Sequence, residues 1–180
     1  MSIDTIVILR DDRLPTRDQW QQALEAAGMG IVLDGVDDLR RHSGFLPARF
    51  RGTDSGFEWF YGRIGDILGD KPDAAGDRDH AIDFVTHSDL NELICALLAA
   101  GVLARLADGL FLDEESGTFV SGDRAIEIAL GIEEAERAQK QRLAAMDAGI
   151  TDRRCPQCGA PCPTYRKTCK ACGFDIGRTV

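Results

Sequence analysis

The sequence predicts an α+β fold: a mixed or antiparallel sheet with helices packed on it, followed by a helical arm and a small C-terminal cysteine-rich module. Three observations predict it. The chain opens strand, helix, strand with short connections. Two aromatic-rich runs then meet across a Gly-containing turn. Finally, a long apolar helix leads to two short extended runs and a last helix. Strands that come in a group, rather than alternating regularly with helices, favour α+β over a parallel α/β sheet.

Thr5–Arg10 (TIVILR) is a β-branched run and reads as the first strand. Thr16-Arg17-Asp18-Gln19 matches the capping box, with Thr as N-cap and Gln three residues on. The helix over about 17–27 puts Trp20, Ala23, Leu24 and Ala27 on one face and stops at Gly28. Ile31–Leu33 reads as a buried strand, and Asp34–His42 as a polar loop. Phe45–Phe50 and Phe57–Tyr61 form a hairpin across Arg51–Gly56. The hairpin holds six of the twelve aromatics: Phe45, Phe50, Phe57, Trp59, Phe60 and Tyr61. Period-two spacing places Phe57, Trp59 and Tyr61 on one face. That face is either an exposed recognition patch or packed on helices; half-buried strands favour the second.

Lys71–His80 is a Pro/Gly/Asp-rich loop, and Ala81–Thr86 the next strand. Ser88 or Asp89 caps a helix over about 89–107, with Glu92 in capping-box position to Asp89. Leu90, Leu93, Ile94, Leu97, Leu98, Ala100 and Leu103 wrap much of its circumference, which marks a central buried helix, with Cys95 as a small core residue. Gly101 leaves a second reading open, in which the helix ends there and Val102–Arg105 and Leu110–Leu112 form a winged hairpin. Against it, Ala104-Arg105-Leu106-Ala107 prefers helix. Leu110–Leu112 and Thr118–Val120 read as extended, and Ser121 opens the last helix. Ala125, Ile126, Ile128, Ala129 and Ile132 dock on the body; beyond Gly131 the helix becomes charged, with Glu133–Arg137 and Glu136–Lys140 at i,i+4. The expected units are a globular domain over 1–131, a helical linker over 132–150 and a metal module over 151–180.

An apolar fraction of 44% and a charged fraction of 28% are those of an ordinary globular protein. The N-terminal MSIDTIVILRDD lacks a basic leader, and the longest apolar run, Leu93–Ala104, is too short to span a bilayer. A cytoplasmic protein is expected, in a reducing compartment where clustered cysteines favour metal over disulfides. The net charge of −9 is uneven. Residues 151–180 carry six Lys/Arg against two Asp, and residues 1–150 carry 15 against 28 Asp/Glu, a balance of +4 and −13. Four thiolates on one Zn²⁺ bring the tail to about +2. An acidic body argues against polyanion binding, which rests on phosphate contacts.

Cys155-Pro156-Gln157-Cys158-Gly159 is answered by Cys169-Lys170-Ala171-Cys172-Gly173. Two residues between paired cysteines let one tight turn aim both sulfurs at a point, and the following Gly permits positive φ. The tail over residues 153–175 resembles the short zinc ribbons of bacterial proteins, in which two CxxCG knuckles face each other. The resemblance implies one structural Zn²⁺ on Cys155, Cys158, Cys169 and Cys172, with an iron centre of the same geometry as the alternative. With all four positions filled by protein, the site is closed rather than catalytic. Cys162 is a fifth thiol the ribbon pattern does not require. It reads as a partly exposed bystander or as an exchangeable, redox-sensitive thiol.

Arg153, Arg154, Tyr165, Arg166, Lys167 and Lys170 are the candidate contacts to nucleic acid or a protein partner. No phosphate loop, zinc-protease motif or nucleophile elbow occurs. His42, His80 and His87 are scattered; His80 with Asp83, or His87 with Asp89, are the imaginable acid/base pairs, and Asp113-Glu114-Glu115 is an acidic turn cluster. The body over 1–130 loosely resembles bacterial cytosolic α+β proteins, some of which are immunity partners of secreted toxins. The expectation is a non-enzymatic, protein-binding or regulatory factor with a structural zinc ribbon. The alternatives are a nucleic-acid-binding regulator that uses the basic ribbon, and a toxin-immunity partner.

Overall fold

The computed structural model describes residues 2–87, 89–113, 116–150, 154–162 and 167–176, with side chains of the last helix described to residue 144. The chain divides into two compact units, Met1–Ile132 and Glu133–Val180. In the first unit the elements run β1 (Ser2–Leu9), α1 (Arg17–Ala26), β2 (Ile31–Leu33), β3 (Ser43–Phe50), β4 (Thr53–Arg63), α2 (Ile64–Leu68), β5 (His80–His87), α3 (Leu90–Leu106), β6 (Leu110–Asp113) and β7 (Thr118–Ser121). The long α4 (Gly122–Ile150) starts in this unit and continues into the second.

The seven strands form one sheet in the order β2-β3-β4-β5-β1-β6-β7, antiparallel at every pairing. The fold is therefore α+β with an antiparallel sheet. First in sequence, β1 lies between β5 and β6. Its Val7, Ile8 and Leu9 are fully buried on alternating faces, which is why TIVIL is continuously apolar instead of alternating.

On one face of the sheet, α1, α3 and the start of α4 enclose the main core. Trp20 of α1 packs against Trp59 of β4 at 5.4 Å between ring centroids, and Trp59 meets Phe84 of β5 edge-on at 5.3 Å. Each buried indole N–H finds a carbonyl: Trp20 Nε1 donates to Ala99 at 3.1 Å, and Trp59 Nε1 to Leu39 at 3.0 Å. The predicted capping box of α1 forms, with Thr16 and Gln19 bonded reciprocally. Phe57 and Trp59 are buried and Tyr61 half-buried, so this aromatic face packs on helices. Phe45 and Phe60, on the opposite face, are exposed.

Several expectations are corrected. The hairpin loop is shorter than Arg51–Gly56, because Phe50 already pairs with Thr53. The turn is Arg51-Gly52 alone, both at positive φ (52° and 83°), a twist that matches that of the flanking strands. Helices pack on both faces of the sheet. The short α2 and a 3₁₀ turn at Asp73–Ala75 set Ile64 and Ala75 against Ile6, Ile8 and Ala81, a second small core. The winged alternative does not form. Asp89 caps α3 by accepting from the N–H groups of Asn91 and Glu92, and the helix runs through Gly101 to Leu106. Ser88, the other cap candidate, lies outside the described residues.

Gly101 belongs in α3 because α4 crosses there. A Cβ on Gly122 would lie 2.3 Å from the Arg105 amide nitrogen and 2.5 Å from the Gly101 carbonyl. One on Gly101 would lie 2.9 Å from Ile126. Two glycines thus let two helices approach backbone to backbone. In the second unit, α4 carries the predicted ion pairs Glu133–Arg137 at 3.2 Å and Glu136–Lys140 at 2.6 Å. No helix among the described residues is long and apolar enough to cross a membrane.

The crossing predicts opposite outcomes for two glycines of one helix. Gly122→Ala should lower unfolding stability by about 3 kcal/mol, an overpacking penalty with backbone on the other side. Gly131→Ala, with nothing within 4 Å, should raise it by up to about 1 kcal/mol. Denaturant midpoints read by Trp20 and Trp59 fluorescence check both.

Candidate metal centre

The two cysteine pairs sit on two copies of one turn. In the first, the Cys155 N–H donates to the Ala160 carbonyl at 2.8 Å, and the Gly159 N–H to the Cys155 carbonyl at 2.9 Å. In the second, Cys169 donates to Phe174 and Gly173 to Cys169, both at 2.8 Å. Gly159 and Gly173 stand at φ 72° and 75°, a conformation that reverses the chain without a Cβ clash. Bridges Arg154–Pro161 and Thr168–Asp175 close the base of each knuckle.

These turns gather four sulfurs. The Sγ atoms of Cys155, Cys158, Cys169 and Cys172 all lie within 4.8 Å of one another. The Cys155–Cys172 and Cys158–Cys169 separations are both 3.7 Å. A tetrahedron with 2.3 Å metal–sulfur bonds has edges of about 3.8 Å, so the set has the size of a Cys₄ site. Cys155 and Cys169 are buried, and Cys158 and Cys172 exposed. The group could hold a metal ion. Among the described residues no other group of three or more His, Cys, Asp or Glu side chains gathers closely enough to do so.

The electrostatics of the bare thiols also fit a cation. Desolvation pushes the Cys155 thiol up, but N–H groups of Cys158 and Gln157 outweigh it and hold the thiol below its usual range. The Cys172 N–H, the largest influence on Cys169, holds that thiol at about 6. At Cys172 the Phe174 N–H pulls downward, yet desolvation and hydrogen bonds with Cys158, Cys155 and Cys169 push the thiol up to about 12. Backbone N–H groups favour thiolates on Cys155 and Cys169, and crowding opposes ionising Cys172. A divalent ion removes that conflict.

Cys162 is not the partly exposed bystander of the sequence reading. It is 2% exposed and packs in one cluster with Cys155, Cys169 and Ile176. The hairpin turns it inward immediately after Pro161, and no local periodicity announces this. Of the candidate basic contacts, Arg154, Lys167 and Lys170 are exposed, and Arg154 Nη1 donates to the Gly159 carbonyl at 3.3 Å. Arg153, Tyr165 and Arg166 lie outside the described residues, as do Glu114 and Glu115.

In the body, the imagined histidine pairs are corrected. His80 Nδ1 lies 3.1 Å from Asp79, and His87 Nε2 3.3 Å from Glu58. His80 and Asp83 point to opposite faces of β5 by strand alternation, and Asp89 is spent on the α3 cap. His80 stacks on Tyr61 at 5.1 Å. The Tyr61 hydroxyl donates to Asp11, which also accepts from Arg40 Nε at 3.1 Å. This cluster ties the turn after β1 and the loop before β3 to strands β4 and β5.

The chain matches no protein-family model, no curated protein and no solved structure.

Two outcomes are expected. The full-length protein should retain one equivalent of tightly bound metal. Cys155→Ser should weaken binding on the order of 100-fold, about a quarter of the free energy of a structural zinc site. Cys95→Ser, in the α3 core, should leave the metal in place; elemental analysis after gel filtration distinguishes them. Separately, Asp11 is held below the usual carboxylate range, first by Tyr61 and then by Arg40. A lowered folded value stabilises the protein above the unfolded Asp value of about 4, and that stability is lost as pH falls through the folded value. Tyr61→Phe should therefore be less stable than native at pH 7, with the gap narrowing below about pH 4 in a denaturant series.

Proposed function

We propose that residues 151–180 form a closed, structural zinc ribbon, and that the chain is a non-enzymatic protein-recognition or regulatory factor. The observation that carries the zinc reading is the four-sulfur group with two 3.7 Å edges. A Cys₄ tetrahedron takes zinc or iron. A closed zinc site uses all four positions for protein ligands, which leaves none for a substrate or an activated water. Arg154, Lys167 and Lys170 stay outside this sphere. Clustered thiols of this kind go with a reducing cytosol.

The partner is another protein. The body over residues 1–150 carries a balance of −13, which repels polyanions and favours a basic protein surface. The second reading, nucleic-acid binding through the ribbon, draws on exposed Arg154, Lys167 and Lys170. Salt dependence separates the two. A ribbon with few phosphate contacts and an acidic neighbour should retain no DNA or RNA even at about 50 mM salt. Retention that falls steeply between about 50 and 200 mM salt, and is lost on Lys167→Ala/Lys170→Ala, would overturn the protein-partner reading.

A further inference from the structure

Part of the sheet face that carries α2 is open to solvent. Helix α2 and the 3₁₀ turn at Asp73–Ala75 pack on Ile6, Ile8 and Ala81, and α2 reaches Gly62, where Ile67 Cδ1 lies 3.7 Å from the position of an added Cβ. Beyond it, Val32, Phe45, Pro47 and Phe60 stand exposed on neighbouring strands, Phe45 at 55%. Residues directly opposite in an antiparallel pair share a face. Val32 is opposite Arg49, Pro47 opposite Gly56, Phe45 opposite Glu58, and Phe60 opposite Asp83, so the four apolar side chains form one surface. The Phe45 ring rests over Gly56: a Cβ there would lie 2.4 Å from the ring Cζ. One side of the ring is thus held on the sheet while the other meets water. An aromatic already held in place loses little freedom when a partner covers it.

The charge on this surface is acidic. Asp54, Glu58 and Asp83 share the face, and strands β2, β3, β4 and β5 contain no lysine. Arg49 is paired with Asp34 at 3.4 Å, and His87 lies 3.3 Å from Glu58. The adjoining sheet edge, at β2, is closed. Gln21 of α1 donates to the Ile31 carbonyl at 3.1 Å and accepts from the Leu33 N–H at 2.8 Å, and Arg17 donates to the Leu33 carbonyl. A partner here meets side chains on the face and does not add a strand at β2.

We propose that the open face of β2, β3 and β4 is a protein-docking surface, and that its occupant is a basic segment of another protein, an apolar side chain flanked by arginines. The proposal rests on the protein-partner reading above and names the surface that serves it. Exposed apolar patches rimmed by polar residues mark interaction sites. The apolar side chain packs on Phe45 and Phe60, and the guanidinium groups stack on the rings and pair with Asp54, Glu58 and Asp83. A second copy of this chain is disfavoured, because two such faces would set carboxylates against carboxylates.

The test titrates isotope-labelled full-length protein with a short synthetic peptide of alternating arginine and leucine, and with its glutamate–leucine counterpart, followed by amide NMR shifts. The arginine peptide should shift Val32, Phe45, Glu58 and Phe60, more weakly as salt rises, and the glutamate peptide should not. Phe45→Ala should weaken binding about tenfold. Glu58→Lys, which leaves the ring over Gly56, should weaken it likewise and serves if Phe45→Ala fails to fold. Shifts confined to another acidic surface, such as Asp12 and Asp77 around Arg10, with both variants binding as native, overturn this face and leave the protein-partner reading standing. A native dimer that Phe45→Ala converts to monomer gives the face to a second copy and also overturns the proposal. No peptide binding overturns the face; if the same protein retains DNA or RNA at about 50 mM salt, the protein-partner reading falls with it.

Discussion

Ordering a residue costs about 1–2 kcal/mol of backbone conformational entropy, and every folded segment must offset that cost. The two units of this chain do so by different chemistry. In Met1–Ile132 helices pack on both faces of the sheet, and α3 is buried without a break from Ile94 to Ala104. Apolar burial at roughly 25 cal/mol per Å² supplies the driving force there. The C-terminal knuckles have no such resource. Among the described residues, their only buried cluster is Cys155, Cys162, Cys169 and Ile176, with Ala160 and Phe174 beside it. A metal ion held by the four cysteines would supply the rest.

The same constraint explains the sulfur geometry. Each knuckle presents one buried and one exposed cysteine, and backbone N–H groups point at both buried sulfurs and at Cys172. Thiolates are favoured where the turn can solvate them and resisted where they crowd one another. Four sulfurs rather than two converge, so the arrangement could hold a metal ion. Cys95 shows the contrast. Buried in α3, its thiol is pushed up to about 12 by desolvation, and it behaves as a small hydrophobe.

Much of this was legible locally. The Thr16–Gln19 capping box, the Asp89 cap, the period-two aromatics of β4 and the CxxCG repeats are all patterns within five residues, and each appears in the structure. What escaped was nonlocal or too short. Helix α2 spans five residues, less than two turns, so no 3.6-residue period could reveal it or the face it covers. Gly101 left a helix end open as a second reading because its partner at the crossing, Gly122, is remote in sequence. The ties of Asp11 to Arg40 and Tyr61 join residues 29 and 50 positions apart. Cys162 lies in irregular chain, where no pattern tells inward from outward.

The central claim is a closed site of four sulfurs on one zinc ion, and the zinc environment itself tests it most directly. X-ray absorption at the zinc edge of the full-length protein should show four sulfur neighbours at about 2.3 Å and no nitrogen or oxygen in the first sphere. A first sphere with a light-atom ligand at about 2.0–2.1 Å would mean an open or mixed site and would contradict the account.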